Sequence, residues 1–402
     1  MTEPATKPTA APVRELTLAT LAFFLCFAAW GMLSPIAPKL QDELSLSDTQ
    51  TAIMIALPVV LGSLLRIPLG RLTDRHGGKA MFTAMLVYAA LPPLLVGTVD
   101  SYPLLLLAGL LLGISGASFA IGVPFVASWF PPGRQGWALG IYGVGNAGTA
   151  VSAFAMPALF NGPGRAAAGV LYAIVLAGFA AIWFRLARDA PGGERPQAMP
   201  LRGVLRLGPA LWQLSLFYFV SFGGFVAMSI YLPKLLKDWF GYSLTDAGLR
   251  TAGFVVVAAV LARPIGGRLA DRHGGYRVAA GAFCGVGLDA VALAWQSSAD
   301  PQIVPVTIIC LTLAFFLGLG AGAVFKLVPQ RFPDATGAAT GVVGAAGGLG
   351  GFFPPLVLGL VKDVSGDYTM AFVFLVAFAW VCAGTAMTLA SQARQSPAQA
   401  LR

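Results

Sequence analysis

Two arginines interrupt apolar stretches of this chain, and each stands eight residues ahead of an aspartate in the same loop sequence. Arg66 opens RIPLGRLTDRHGG (66–78) and Arg263 opens RPIGGRLADRHGG (263–275), so the two segments are copies offset by 197 residues. An ionisable side chain at membrane depth is costly and by default marks a functional site. A guanidinium presents planar, paired N–H donors that match a planar oxyanion, so the duplicated pair points to one central anion site. Asp289 is the only acid expected inside an apolar span, and its place is peripheral. Two unpaired cations at ~8 Å and an effective dielectric of ~20 repel by ~2 kcal/mol, and a bound anion relieves that repulsion. The alternative is that each arginine bonds backbone carbonyls where a glycine-rich helix loosens, or snorkels to the surface.

Depth along the helices brings further side chains to the same level. Arg66 lies ~12 Å inward from Asp74, and Arg263 ~12 Å inward from Asp271. Asn146, Phe119 and Tyr218 stand ~12–17 Å from the corresponding ends of their own helices, where half a bilayer is ~15 Å. Gly143, Gly145 and Gly148 surround Asn146, and Gly344 and Gly347 belong to a second glycine run. Such runs let helices approach closely and expose bare backbone to a small ligand's path, although tight packing alone accounts for most of them. Lys326 falls ~9 Å inside its helix. It is either a third positive charge on the path or a lysine that snorkels.

These residues need membrane-spanning helices to hold them. The chain has 402 residues, 57% hydrophobic and only 11% charged, whereas soluble proteins carry about a quarter charged residues. Apolar runs of membrane-crossing length recur throughout, predicting helices near 16–37, 51–71, 79–98, 103–129, 136–160, 168–187, 210–232, 248–270, 277–297, 303–328, 336–361 and 370–391. The first contains Trp30 and Pro35 and lacks a cleavage site, so it is a retained helix rather than a secretory signal. The polar stretch 188–209 is a cytosolic linker between two six-helix halves, 1–187 and 210–402. Six spans separate the repeated loops, which therefore face the same side, as in a parallel repeat about an axis along the membrane normal. The expected fold is an all-α membrane protein whose twelve transmembrane helices form two pseudo-symmetric six-helix bundles. The net charge of +9 arises from Lys and Arg gathered in the segments of one side, including Arg71, Arg75, Lys79, Arg134, Arg268 and Arg272. That asymmetry reports topology with both termini cytosolic, and it excludes a nucleic-acid partner. The four cysteines and two histidines show no metal-ligand or disulfide spacing. No nucleophile–base pair or phosphate loop is present, so neither an enzyme nor a cofactor is expected.

GRLTDRHGG (70–78) and GRLADRHGG (267–275) resemble the signature loop of the major facilitator superfamily. Asp74 and Asp271 stand near helix ends with Arg75 and Arg272 ready to pair, a cluster able to latch one side of the membrane; the plainer role is a topology determinant and helix cap. Across nearly its whole length the chain resembles the nitrate/nitrite porter family of that superfamily. The carriers are Arg66, Arg263, GVGNAG (143–148), the glycine-rich eleventh helix and WFPPGRQGWALG (129–140). The resemblance implies that Arg66 and Arg263 bind the anion, that Phe119 in GASFA and Tyr218 in FYFVSFGGF sandwich it, and that Asn146 contacts it. Gly347 departs from the pattern of the fifth helix, where Asn146 stands at the aligned place.

The expected function is nitrate and nitrite transport across a bacterial inner membrane, lined by lipid and carried out by a monomer. The two halves rock in alternating access, driving nitrate/nitrite exchange or proton-coupled nitrate uptake. Another small anion such as a monocarboxylate, held by the same arginines, is the alternative substrate. A nitrate receptor that signals without turnover is disfavoured because the sequence offers no sizeable soluble output region.

Overall fold

Glycine and proline decide where the helices of this chain bend, and the bends gather at one level. The computed structural model describes residues 10–191, 199–365 and 367–395. No strand occurs among the described residues, and twelve spans order them. In the first half these are α1 (Ala10–Trp30), α2 (Asp48–Leu64, resuming at Arg66–His76), α3 (Gly78–Ala89 and Pro92–Thr98), α4 (Tyr102–Ser115 and Phe119–Trp129), α5 (Gln135–Tyr142 and Gly148–Asn161) and α6 (Arg165–Leu186). The second half comprises α7 (Pro209–Phe240), α8 (Leu244–Val255 and Arg263–His273), α9 (Gly275–Ser298), α10 (Ile303–Arg331), α11 (Thr336–Ser365) and α12 (Thr369–Gln395). Ten segments have the length and hydropathy of membrane spans, and the two outside that set, α5 and α11, are the glycine-rich helices. The middle of the linker, residues 192–198, lies outside the described residues.

Two helices depart furthest from the bounds that the apolar pattern predicts, α1 shifted toward the N-terminus to end at Trp30 and α7 extended. α1 starts six residues early because its polar first turn is tied down: Arg14 pairs with Glu15, and Glu15 Oε2 accepts the Arg188 backbone N–H at 3.0 Å. α7 runs on to Phe240 and stops where Gly241 takes a left-handed conformation (φ 67°), the glycine-favouring geometry of a helix C-terminus.

Besides α3, which breaks before Pro92, four helices lose regular α geometry midway. α2 breaks at Leu65, α4 tightens into a 3-10 turn at Gly116–Ser118, α5 does the same at Gly143–Ala147, and α8 widens into a π segment at Val256–Ala262. Gly, a poor helix former, sits in the loosened turns of α4 and α5, and Pro68 and Pro264, which lack an N–H, follow those of α2 and α8. Each loosened turn leaves carbonyls without their usual i+4 donor.

The halves meet through α2 against α11 and α5 against α8. At the end carrying the repeated loops, these crossings are backbone on backbone. A Cβ on Gly70 or Gly337 would overlap the other's carbonyl, and Gly136 and Gly267 stand in the same relation. No side chain fits there, which closes that end. At the opposite end a cavity of about 620 Å³ separates the halves, reaching down from Pro35, Pro157 and Pro233 to Asn146 and Phe222.

Candidate functional site

The loosened turns are where the two arginines find acceptors. Arg66 begins the second segment of α2 and Arg263 the second segment of α8. They are only 3% and 4% exposed. Arg66 donates from Nη1 to the Gly344 carbonyl at 2.6 Å, and from Nε and Nη2 to the Gly116 carbonyl at 3.4 and 3.3 Å. Arg263 donates from Nη1 to the Gly143 carbonyl at 3.4 Å and from Nη2 to the Tyr218 hydroxyl at 3.0 Å. Each arginine thus reaches across to a glycine of the other half, Arg66 to α11 and Arg263 to α5. The carbonyl contacts of the loosened-helix alternative are present, and they do not neutralise the charge. Neither arginine has a carboxylate partner among the described residues, and each guanidinium keeps N–H donors to spare out of five.

Both guanidinium carbons face the same two rings at nearly equal range. Phe119 lies 6.0 Å from each, and Phe222 lies 5.3 Å from that of Arg66 and 5.2 Å from that of Arg263. Tyr218 is parallel to both rings, 6.2 Å from Phe119 (9°) and 4.9 Å from Phe222 (4°). Phe325 of α10 stands edge-on to Phe119 and Tyr218 at 4.6 and 4.5 Å, closing the cage. Phe119 thus lies beside both guanidinium groups. The α7 ring that flanks both arginines is Phe222, one helical turn beyond Tyr218, and Tyr218 instead engages Arg263 through its hydroxyl. Phe222 and Phe325 were missed by sequence reasoning. The i, i+4 spacing within FYFVSF, which puts Tyr218 and Phe222 on one face, was the available signal for the first.

Asn146 is buried in the α5 turn and donates from Nδ2 to the Gly143 carbonyl at 2.6 Å, the same oxygen Arg263 approaches. Its Oδ1 is buried without a partner, and the residue borders the cavity. The glycines divide. A Cβ on Gly143 would sit 3.0 Å from Arg263 Cδ, and one on Gly344 would sit 3.1 Å from Arg66 Cδ, so these two seat the arginines. Gly145 and Gly148 do not line the site: they pack against Phe23 and the Phe24 carbonyl of α1. A Cβ on Gly347 would collide with the Tyr218 ring. The departure from asparagine at this position thus has a steric reason: Gly347 makes the room that Tyr218 fills.

The repeated loops act differently from the expected arginine pairing. Asp74 accepts the Gly337 and Ala338 N–H groups, both at 2.8 Å, and Asp271 accepts those of Gly136 and Trp137 at 2.9 and 2.7 Å. Each carboxylate therefore caps a helix of the opposite half, where the positive end of the helix dipole favours it. Arg75 and Arg272 are exposed and make no ion pair among the described residues. The turns themselves need Gly77 (φ 85°) and Gly274 (φ 89°), a backbone region glycine enters without steric cost. Lys326 neither snorkels nor stands free: its Nζ pairs with Asp271 Oδ1 at 3.0 Å and donates to the Pro132 carbonyl. Asp289 is half-buried and peripheral as expected, held by the Thr312 hydroxyl at 3.0 Å. It is not the only acid in a span, since Glu15 is fully buried in the early turn of α1.

Comparison with known proteins agrees with this architecture. The Major Facilitator Superfamily profile matches residues 19–355. The chain is 43% identical over 383 residues to the "Probable nitrate/nitrite transporter NarK2" of Mycobacterium tuberculosis, covering 93% of this chain and 95% of that protein. It is 40% identical to the "Nitrite extrusion protein" of Bacillus subtilis, covering 90% of each. Among solved structures, the human organic anion transporter MFSD10 superimposes with a TM-score of 0.77 at 16% identity, over 94% of this chain and all of that one.

Proposed function

This chain belongs to the nitrate/nitrite porter family of the Major Facilitator Superfamily, and from that premise we propose that it carries nitrate and nitrite across a bacterial inner membrane by alternating access, each anion clamped between Arg66 and Arg263. One observation carries the reading: two buried guanidinium groups, one from each half, face the same pair of rings, with no acid between them among the described residues. The Lys and Arg excess near the repeated loops assigns that end to the cytosol. The cavity then opens outward, and the backbone-on-backbone crossings form the shut inner gate.

An anion descending the cavity meets Asn146 and Phe222 first and then the unused N–H donors of the arginines. Planar oxygens accept in pairs from a guanidinium, and the rings of Phe119 and Phe222 exclude water from the site. The anion's charge offsets an arginine repulsion of ~2 kcal/mol at ~8 Å and an effective dielectric of ~20. Closure over an empty site keeps that repulsion, so the loaded form is the one that reorients. This coupling favours exchange, nitrate in against nitrite out. The ring cage contains no carboxylate among the described residues to carry a proton. Both arginines come from one chain, so a monomer suffices. The test is uptake of isotope-labelled nitrate into proteoliposomes loaded with nitrite, with and without an imposed pH gradient. Nitrite-driven uptake independent of the gradient is expected; no uptake under either condition overturns the reading.

A further inference from the structure

The two gate carboxylates look equivalent in sequence, but only one has a counter-charge. Asp271 caps α5 and is paired with Lys326, whereas Asp74 caps α11 with no cation at salt-bridge distance among the described residues. Lys326 and Asp271 are both buried at 8% and 6% side-chain exposure, and both belong to the second half. Their partners Gly136, Trp137 and Pro132 belong to the first half. When the halves separate at this end, Asp271 loses two N–H donors and Lys326 loses a carbonyl, while the ion pair between them stays within one half. Lys326 also directly follows Phe325, the ring that closes the cage beneath Phe119 and Tyr218. Moving from the cage toward the gate along α10, it is the first charge met.

Resting on the anion-transport reading above, we propose that Lys326 is the positioning residue that lets an anion pass the gate. In the opened state its ammonium stays paired with the Asp271 carboxylate, balancing that charge, and turns the Nζ–H freed from the Pro132 carbonyl toward the departing anion. Without it, Asp74 and Asp271 would both present bare carboxylates to an anion at the exit. Coulomb repulsion in a narrow, poorly screened mouth would then oppose release and entry at that end. The second half carries this charge and the first does not: Phe125, which stands 201 residues before Lys326 as Gly136 does before Gly337, is apolar.

The test measures nitrate counterflow in proteoliposomes and nitrate binding by calorimetry on the same purified variants. Lys326→Gln should keep the native Kd yet lose turnover by about tenfold or more, because a buried carboxylate is left without its partner. Lys326→Arg should restore turnover. The double variant D271N/K326Q removes both charges and should run faster than K326Q. Native turnover in K326Q overturns the proposal, as does a double variant as slow as K326Q, which would reduce Lys326 to a structural latch. Should K326Q fail to fold, K326R and the charge-balanced double variant decide: both active supports the proposal, a tenfold loss in both overturns it. A native chain that moves no nitrate sinks the transport reading instead, so the two failures are distinguishable.

Discussion

Replacing Gly347 by alanine adds one methyl group where α11 faces the Tyr218 ring. The new Cβ would overlap Tyr218 Cδ1 and stand 2.7 Å from Tyr218 Cε1 and 3.2 Å from Phe222 Cδ1. Carbon atoms in contact sit ~3.5–4.0 Å apart, so the tyrosine must retreat by more than about 1 Å. Its hydroxyl accepts Arg263 Nη2 at 3.0 Å, and a bond stretched well past 3.5 Å is no longer a bond. A hydrogen bond to a charged group is worth ~1.5–3 kcal/mol, which corresponds to roughly tenfold to a hundredfold in nitrate affinity at ~1.4 kcal/mol per decade. Calorimetric titration of nitrate into the purified variant reads this directly. Gly178→Ala is the control, because a Cβ there meets nothing within 4 Å, and it should bind as the native chain does. Tyr218→Phe deletes the hydroxyl without moving the ring. The double variant G347A/Y218F should therefore bind no more weakly than G347A alone. Native affinity in G347A, or full additivity in the double variant, would refute the claim that Gly347 exists to seat Tyr218 on Arg263.

Other outcomes follow from the same geometry. Arg66→Lys keeps the charge but cannot reach the Gly344 and Gly116 carbonyls and the anion together, so counterflow should fall about tenfold or more; full activity would refute the clamp. Phe222→Ala removes a ring facing both guanidinium groups and should weaken nitrate binding by roughly tenfold, a cost of ~1–2 kcal/mol for two partly desolvated cation–π contacts, as read by the same titration. Formate and acetate should displace bound nitrate poorly in competition assays; efficient displacement would favour a monocarboxylate as the cargo.

The arginine pair, the loop repeat and the helical spans were legible in the sequence because each leaves a one-dimensional trace: a rare charge, a copied string, an apolar run. Depth was legible too, since the rise per residue is fixed. Azimuth was not. Tyr218 and Phe222 lie at successive turns of one face, and counting residues cannot say which ring meets the guanidinium groups and which makes the hydrogen bond. The partners of the gate groups were hidden for another reason. Asp74 and Asp271 bond backbone N–H groups more than 130 positions away, and backbone donors leave no mark in residue identity. Lys326 looks like a lone charge in sequence because its partner, Asp271, stands 55 positions away in a loop with arginines of its own. The glycines of α5 show the limit of composition: Gly143 seats an arginine, while Gly145 and Gly148, two and five residues on, serve only the packing of α1.

The central claim is that one anion is held jointly by an arginine from each half. Nitrate titration of the native chain beside Arg66→Gln and Arg263→Gln tests it most directly. The account predicts one nitrate per native chain, and saturable binding lost in either single variant, with the double variant no worse than each alone. Near-native binding in either single variant, or two nitrates per native chain, would contradict it.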